Sequence, residues 1–196
     1  KMESKINTTT REDWLNKAAL LIRAELIDTR TALSTDRPIR ISLSPMASKN
    51  LGACYPSSRS PADHANEITI TMHSNDSVLI LSTLAHELIH AYDDCVNKHG
   101  AVFRAAALAI GLEGKMTATT AGAELTATLS EYVELLGEIP HFALTHIPKD
   151  KGRNGNKLVC HDCNFKANTS AKWAQQINPY FVCPVCQSQN TSIITK

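Results

Sequence analysis

Two histidines four residues apart, His86 and His90, enclose Glu87 in the pattern H-E-x-x-H. On a helix, residues four apart project from the same face, so the two imidazoles could bind one metal ion. Glu87 would then lie beside that ion, within reach of a proton on a water molecule. The pattern therefore requires a helix with one face in the core and the neighbouring face open to a cleft.

The residues around the motif favour such a helix. Helix-capping residue types occur at 75–77, and apolar residues then recur at helical spacing, which predicts a helix over 77–96. The two histidines and Glu87 border the apolar stripe, as a metal-binding face beside a buried face would. The stripe consists of Leu81, Leu84, Leu88 and Tyr92, widened by Ala85 and Ile89.

A catalytic zinc site usually has three protein ligands and leaves one position for water. His99 is the favoured third ligand here, because Gly100 ends the predicted helix and a tight turn could return His99 to the first two histidines. Glu113 and Glu124 are alternatives, since some proteases use a glutamate from a following helix. A helix that contains two histidines and binds no metal also stays open.

Four of the six cysteines form two C-x-x-C pairs, Cys160 with Cys163 and Cys183 with Cys186. The 19 residues between the pairs fall in the range for a structural zinc site with four thiolate ligands. So short a module has little core of its own. We therefore expect zinc binding to supply much of its folding free energy.

The two remaining cysteines stand alone in the sequence, and both are interpreted as structural. Cys95 falls near the end of the predicted helix over 77–96, where a thiol usually behaves as a small buried apolar group. Cys54 follows Gly52 in a predicted strand and is assigned a packing role.

Hydrophobic alternation and helical periodicity place the other elements. Three strands precede the H-E-x-x-H motif and are expected to form a small antiparallel sheet. Residues 114–121 are interpreted as a loop. The predicted strands are 38–44, 51–55 and 67–73, and the further predicted helices are 11–30, 101–112 and 121–136.

The C-terminal residues carry an excess of positive charge. From Asp150 to Lys196 there are six Lys or Arg and two Asp or Glu, a net charge of +4, whereas the whole chain has a net charge of +1. Cations interleaved with aromatic rings suit the phosphates and unpaired bases of single-stranded or distorted DNA. The aromatic rings could instead fill the small core of the module. The residues are Lys151, Arg153, Lys157, Lys166 and Lys172 with Phe165, Trp173, Tyr180 and Phe181.

No membrane association is expected. Residues 1–14 are polar and lack the apolar segment of a secretory signal. The longest apolar stretch, 78–85, is too short to cross a bilayer. A cytoplasmic location is expected, where thiols stay reduced and cysteine pairs bind metal rather than form disulfides.

Two segments of the sequence resemble the SprT-like metalloprotease family, to which Spartan belongs. They are H-E-L-I-H-A-Y over 86–92 and H-G-A-V-F over 99–103. The segment G-A-C-Y over 52–55 loosely matches the strand that precedes the motif in this family. The resemblance implies a zinc-dependent endopeptidase that acts on DNA-bound or DNA-crosslinked proteins.

The resemblance also implies an α+β architecture. A mainly helical zincin-type metalloprotease domain with a small three-stranded sheet would occupy 1–148, a linker 149–157, and a zinc ribbon 158–196. The three histidines would bind one catalytic zinc ion, and the four paired cysteines one structural zinc ion. Glu87 would be the general base in metal-assisted peptide hydrolysis.

Several points stay open in the sequence. His73, Tyr92 and Tyr132 are candidates for stabilising an oxyanion, although each is more typical of a structural role. A substrate strand could add to an edge of the small sheet, but the sequence does not identify the edge strand. Two other functions are a nucleic-acid-binding accessory protein with a silent metal site and a maturation-type peptidase without DNA dependence. Glu87 argues against the silent site, because a structural metal needs no base.

Overall fold

The computed structural model describes residues 10–45, 50–145, 156–177 and 181–194. The chain divides into two compact units, Lys1–His146 and Ile147–Lys196. Helices and small sheets occur together, so the fold is α+β, as predicted. Most of the predicted linker, residues 149–155, lies outside the described residues, and residues 156 and 157 already belong to a strand.

A long helix opens the described part of the N-terminal unit. α1, Arg11–Ile22, begins after Thr10, whose hydroxyl accepts a hydrogen bond from the backbone N–H of Asp13 at 3.0 Å. A π-helical stretch, Arg23–Ile27, continues it into the short α2, Asp28–Arg30. The predicted helix is therefore confirmed, apart from its π-helical turn. Its fully buried residues include Trp14, Leu15, Ala18, Ile22, Leu26 and Ile27.

The small sheet contains β1, Ile39–Ser44, β2, Gly52–Tyr55, and β3, Asn66–Thr71, in the order β1-β3-β2. β2 pairs with β3 in the antiparallel sense, but β1 pairs with β3 in parallel. The prediction of an antiparallel sheet is therefore wrong for one of the two pairs. Ile68 and Ile70 are fully buried and place β3 at the centre, between the two strands that precede it.

Against this sheet packs α3, Ser77–Tyr92, the helix that carries the H-E-x-x-H motif. Asp76 caps it by accepting a hydrogen bond from the backbone N–H of Leu79 at 2.9 Å. The predicted apolar stripe is buried, with Leu81, Leu84 and Leu88 fully inaccessible. The helix ends at Tyr92, four residues before the predicted end at Val96.

Two helices and a hairpin complete the N-terminal unit. α4, Ala101–Ala109, leads into β4, Leu112–Lys115, and β5, Ala118–Ala121, which pair in the antiparallel sense. The prediction of a loop over 114–121 is wrong, because the β-branched Thr residues there favour a strand. α5, Ala123–Leu136, then ends at Gly137, whose φ of +81° favours glycine.

The C-terminal unit contains the three-stranded antiparallel sheet β7-β6-β8 and one short helix. Its described residues bury few side chains, notably Val159, Ala174 and two of the paired cysteines, Cys160 and Cys183. The elements are β6, Asn156–Cys160, β7, Lys166–Thr169, α6, Ala171–Gln176, and β8, Thr191–Ile194.

In the N-terminal unit, one cluster of buried apolar side chains joins α1, α3, α4, α5 and the sheet. This core lies behind the motif helix and holds it in place. No helix in the described ranges has the length and apolar content needed to span a membrane.

Candidate metal centres

The side chains of His86, His90 and His99 converge in a cleft of about 380 Å³ in the N-terminal unit. The Nε2 atom of His99 lies 3.2 Å from Nε2 of His90 and 3.3 Å from Nε2 of His86. The ligand atoms of all three residues lie within 4.8 Å of one another. The structure therefore brings together the three histidines predicted as ligands, in a group that could hold a metal ion.

These separations suit a tetrahedral ion. With Zn–N bonds of about 2.0–2.1 Å, two imidazole nitrogens on one tetrahedral zinc ion lie about 3.3–3.4 Å apart. The Nε2 separations at His99 agree with that spacing to within about 0.2 Å. Three imidazoles are also the ligand number of a catalytic zinc site. The donor set therefore fits a zinc ion.

A hydroxyl on the hairpin orients His86. Nδ1 of His86 lies 2.8 Å from Oγ1 of Thr119 in β5. With Nε2 as the ligand atom, Nδ1 carries the proton and donates to Thr119, which fixes the tautomer and the orientation of the ring. Sequence reasoning misses Thr119, because it predicts a loop at 114–121. The adjacent β-branched residues Thr119 and Thr120 are the signal that favours a strand.

Phe103 forms the apolar support of the three imidazoles. Its ring centroid lies 4.4 Å from that of His90, in a stacked arrangement, 4.7 Å from that of His86 and 5.0 Å from that of His99. The ring is fully buried and projects from α4, the helix that begins just after His99. Phe103 therefore restricts the orientation of all three rings at once.

Burial keeps the imidazoles neutral. Desolvation, followed by the neighbouring His90 and His99, lowers the pKa of His86 to about 3. Desolvation and His99 lower the pKa of His90 to about 4, and desolvation lowers the pKa of His99 as well. At neutral pH each ring therefore has a lone pair available, as a metal ligand requires.

Glu87 lies in the same cleft and is only 7% exposed. Burial raises the pKa of its carboxyl group to about 7. Gly52 of β2 packs directly against it: a Cβ atom at Gly52 would lie 2.8 Å from Cγ and Oε1 of Glu87 and 2.8 Å from Cγ2 of Thr83. The absence of a side chain at Gly52 therefore makes room for the Glu87 carboxyl group between the sheet and α3.

A tight turn, rather than a longer helix, returns His99 to the cleft. After α3 ends, the Asp93 carboxylate accepts hydrogen bonds from the backbone N–H of Asn97 at 2.7 Å and from its side-chain amide at 2.6 Å. Asp94 and Cys95 adopt left-handed φ values of +50° and +58°, which stop the helix. This explains why the helix is shorter than predicted and corrects the placement of Cys95, which is half-buried in the turn.

The acidic alternatives for the third ligand lie elsewhere. Glu124 forms an exposed ion pair with Arg30 at 3.3 Å. Glu113 packs against Gly122 on the hairpin, since a Cβ atom at Gly122 would lie 2.3 Å from its Oε1. Neither belongs to the histidine group, so His99 is the third member of that group.

The three candidates for oxyanion stabilisation are engaged away from the residues that line the cleft. The hydroxyl of Tyr92 donates to Asp28 at 2.8 Å, and that of Tyr132 donates to Glu25 at 2.8 Å. Nδ1 of His73 lies 2.9 Å from the backbone oxygen of Leu144. Lys98, which sequence reasoning does not single out, is the cationic residue among those that line the cleft.

The four paired cysteines form the second candidate centre. The Sγ atoms of Cys160 and Cys186 are 3.5 Å apart, and those of Cys163 and Cys183 are 3.6 Å apart. All four sulfur atoms lie within 4.8 Å of one another. With Zn–S bonds of about 2.3 Å, a tetrahedral site spaces its sulfur atoms about 3.8 Å apart. The cluster therefore fits four-thiolate coordination of a zinc ion.

Both cysteine pairs are built on the same local turn. Asn164 follows Cys163 with a φ of +59°, and Gln187 follows Cys186 with a φ of +61°. The Asp162 carboxylate braces the first turn against the second by accepting hydrogen bonds from the hydroxyl of Ser188 and the side-chain amide of Asn190. Left-handed residues at matching positions allow each pair to direct two thiols toward one point.

The remaining predicted residues of this unit that the structure describes differ in exposure. His161 is exposed and Nε2 of its ring lies 2.8 Å from Oγ of Ser192, away from the sulfur cluster. Trp173 is 57% exposed, and Phe165 is half-buried. Lys157, Lys166 and Lys172 are exposed, whereas Lys151, Arg153 and Tyr180 lie outside the described residues.

Comparisons of the chain with protein-family models, curated proteins and solved structures find no match. The two candidate centres therefore rest on the residues and geometry of this chain alone.

Proposed function

We propose that the chain is a zinc-dependent endopeptidase of the SprT-like type. The observation that carries this proposal is the convergence of three imidazole Nε2 atoms, with a buried glutamate beside them, in one open cleft. A structural metal site has no need of the carboxyl group of Glu87 and is usually closed to solvent. A cleft beside the ligands is what a substrate requires.

The residues of the chain divide the chemistry between them. His86, His90 and His99 would hold a zinc ion, which supplies Lewis-acid activation of water and of the scissile carbonyl group. Glu87 accepts a proton from the attacking water and later donates it to the amine that leaves. The Glu87 carboxyl group lies in the same cleft as the three imidazoles, which is the position that a general base for this transfer requires. Phe103 and Thr119 fix the orientations of the imidazole rings.

An extended peptide has a place to bind beside this group. Among the described residues, β2 pairs with β3 on one side only, so it is an edge strand of the sheet. Gly52, Ala53 and Cys54 of this strand line the cleft with Glu87. A substrate strand that hydrogen-bonds to β2 would therefore lie along the cleft and bring one of its peptide bonds to the histidine group.

The C-terminal unit supports DNA as a partner. Its four cysteines fit a zinc ribbon, and its exposed side chains include Lys157, Lys166, Lys172 and Trp173. Lysines neutralise phosphates, and an exposed indole ring can stack on an unpaired base. We therefore propose that the substrates are proteins bound or crosslinked to DNA and that this unit recruits them.

The test compares the zinc-loaded full chain with Glu87→Gln in casein cleavage, with and without single-stranded DNA. We expect cleavage by the wild type that DNA stimulates, and cleavage at least about 100-fold slower in Glu87→Gln at equal zinc content. Full activity of Glu87→Gln would contradict the mechanism.

The same assay separates the two parts of the proposal. If the chain cleaves casein but DNA neither binds to it nor stimulates cleavage, the peptidase proposal stands. The proposal of a DNA-linked substrate is then excluded. The maturation-type peptidase would then be the better description. DNA binding without any cleavage would instead favour an accessory protein with a silent metal site.

A further inference from the structure

Two cysteines that belong to neither candidate centre meet at the histidine cleft. Cys54 lies in β2 and Cys95 in the turn after α3, and both are half-buried. Both line the cleft that contains the histidine group and Glu87. Neither thiol belongs to a group of ligand atoms that could hold a metal ion, within the described residues. The two thiols are 41 positions apart in sequence, so only the fold brings them together.

A hydrogen-bonded clamp brings the turn onto the end of β2. The Asp94 carboxylate accepts hydrogen bonds from the backbone N–H of Ser57 at 2.7 Å, from its hydroxyl at 2.8 Å and from the Asn66 side-chain amide at 2.8 Å. Asp94 immediately precedes Cys95, and Ser57 lies three residues after Cys54. The clamp therefore restrains the two backbone segments that carry the thiols.

A second contact holds the same two segments together. The Asn66 side-chain amide, which donates to the Asp94 carboxylate, also donates to the backbone oxygen of Tyr55, the residue after Cys54, at 3.3 Å. Asn66 is fully buried in β3, the strand that pairs with β2. The backbone next to each thiol is therefore held by one buried side chain, and both thiols line the same cleft.

The geometry points to Cys54 and Cys95 as a site of reversible oxidation to an intramolecular disulfide by a low-molecular-weight disulfide such as oxidised glutathione. One of the two thiols loses its proton to solvent and attacks one sulfur of the oxidant, whose S–S bond breaks and releases one glutathione thiolate. The other thiol then loses its proton to solvent and attacks the protein sulfur of this mixed disulfide, which releases the second glutathione thiolate. The two protein thiols lose two electrons in total, and the oxidant gains them as two thiolates that take up protons from solvent.

Such a bond would join the edge strand of the sheet to the turn that leads to His99. Both partners of the crosslink belong to the lining of the cleft, so oxidation would fix the separation of these two segments. The proposed peptidase mechanism does not use these two thiols. Their oxidation is therefore expected whether or not the chain cleaves peptides.

To test this, the zinc-loaded full chain is equilibrated in glutathione buffers of increasing oxidised fraction. Free thiols are then alkylated, and a tryptic digest is mapped by mass spectrometry. Trypsin places Cys54 in the peptide 50–59 and Cys95 in the peptide 60–98. We expect these two peptides to appear joined, and to separate again after reduction. Two free, alkylated thiols under conditions that oxidise a simple dithiol would overturn the inference.

Two serine variants test whether the two thiols resolve each other. In at least one of Cys54→Ser and Cys95→Ser, the remaining thiol should accumulate a glutathione adduct, because no second thiol resolves it. The wild type should accumulate the intramolecular disulfide instead. An adduct that accumulates equally in the wild type and in both variants would overturn the pairing.

The clamp itself can be tested with Asp94→Ala, after circular dichroism has shown that the variant is folded. Loss of hydrogen bonds to a charged group should lower the equilibrium constant for disulfide formation about tenfold or more, because the thiols are less well aligned. The same constant in a folded Asp94→Ala chain would contradict the proposed alignment.

Discussion

The two candidate metal centres each bring several ligand atoms to one point, but different parts of the fold hold these ligands in place. The histidine group takes its ligands from α3 and the turn after it, with the buried Phe103 and Thr119 on the hairpin as supports. The cysteine cluster takes its ligands from two short turns that share the residue pattern around Asn164 and Gln187. Behind the histidines lies a continuous apolar core, whereas the cysteines themselves make up much of what their unit buries.

This difference predicts what each metal does for the fold. Burial of apolar surface stabilises the N-terminal unit by itself, so its metal can bind to a site that already exists. In the part of the C-terminal unit that the structure describes, few apolar residues are buried, so we expect the free energy of metal binding to supply most of its stability. We therefore expect a metal at the histidine centre to be available for chemistry and a metal at the cysteine centre to be structural.

We expect metal removal to produce the largest difference in stability between the two units. A chelator should unfold the C-terminal unit, because structural zinc sites of this kind contribute about 10–16 kcal/mol. Hydrogen exchange measured by mass spectrometry should show loss of protection in β6, β7 and β8 and continued protection in α1 and α3. Cys160→Ser should reproduce the loss without a chelator, and His99→Ala should not. Simultaneous loss of protection in both units would contradict the difference.

Phe103→Ala should have the next largest effect. Truncation of a fully buried phenylalanine costs about 3–5 kcal/mol in unfolding free energy, measured by urea denaturation of the N-terminal unit. Its neighbour Val102 is 41% exposed, so Val102→Ala is a matched control that should change stability by less than about 0.5 kcal/mol. Equal effects of the two substitutions would contradict the role of Phe103 in the core behind the histidines.

Thr119→Val should weaken metal binding at the histidine centre by about 10–100-fold, because Nδ1 of His86 loses the acceptor that fixes its tautomer. Thr119→Ser keeps the hydroxyl and should retain the wild-type affinity. Competition with a chromogenic zinc chelator measures both variants, and the cysteine centre serves as the internal control. An unchanged affinity in Thr119→Val would show that the Thr119 hydroxyl does not support metal binding.

The smallest predicted effect concerns the clamp at Asp94. Burial alone would raise the pKa of this carboxyl group, but hydrogen bonds from Ser57 and Asn66 and the charge of Arg37 outweigh burial and lower the pKa. A lowered folded-state pKa gives stability that is present above the unfolded-state value of about 3.9 and is lost as pH falls through the folded-state value. Acid unfolding of zinc-free Asp94→Asn should therefore depend less on pH below about pH 4 than wild type. Identical acid transitions would contradict the prediction.

The extent to which sequence predicts this molecule depends on the range of the interactions involved. The motif helix with its cap at Asp76 and the helix that ends at Leu136 follow from local residue preferences, and both predictions are confirmed apart from the earlier end of the motif helix at Tyr92. The parallel pairing of β1 with β3 depends on which strand becomes central, and that choice is made by long-range burial of Ile68 and Ile70. Local pattern could not distinguish these arrangements.

The same distinction holds at the candidate site. The spacing of His86, His90 and His99 along the chain is enough to indicate a group of ligands. Thr119 and Cys95 have no such spacing relative to their partners, because a hairpin and a turn place them. Supporting contacts between distant segments therefore depend on the tertiary fold and leave no local pattern in the sequence.

The most direct test of the account is a zinc count on the full chain and on His99→Ala, with coordination measured by X-ray absorption at the zinc edge. We expect two zinc ions in the wild type, one with nitrogen ligands at about 2.0–2.1 Å and one with sulfur ligands at about 2.3 Å. In His99→Ala the nitrogen-coordinated zinc should be lost or weakened and the sulfur-coordinated zinc retained. A wild type that binds zinc through sulfur alone would contradict the central claim.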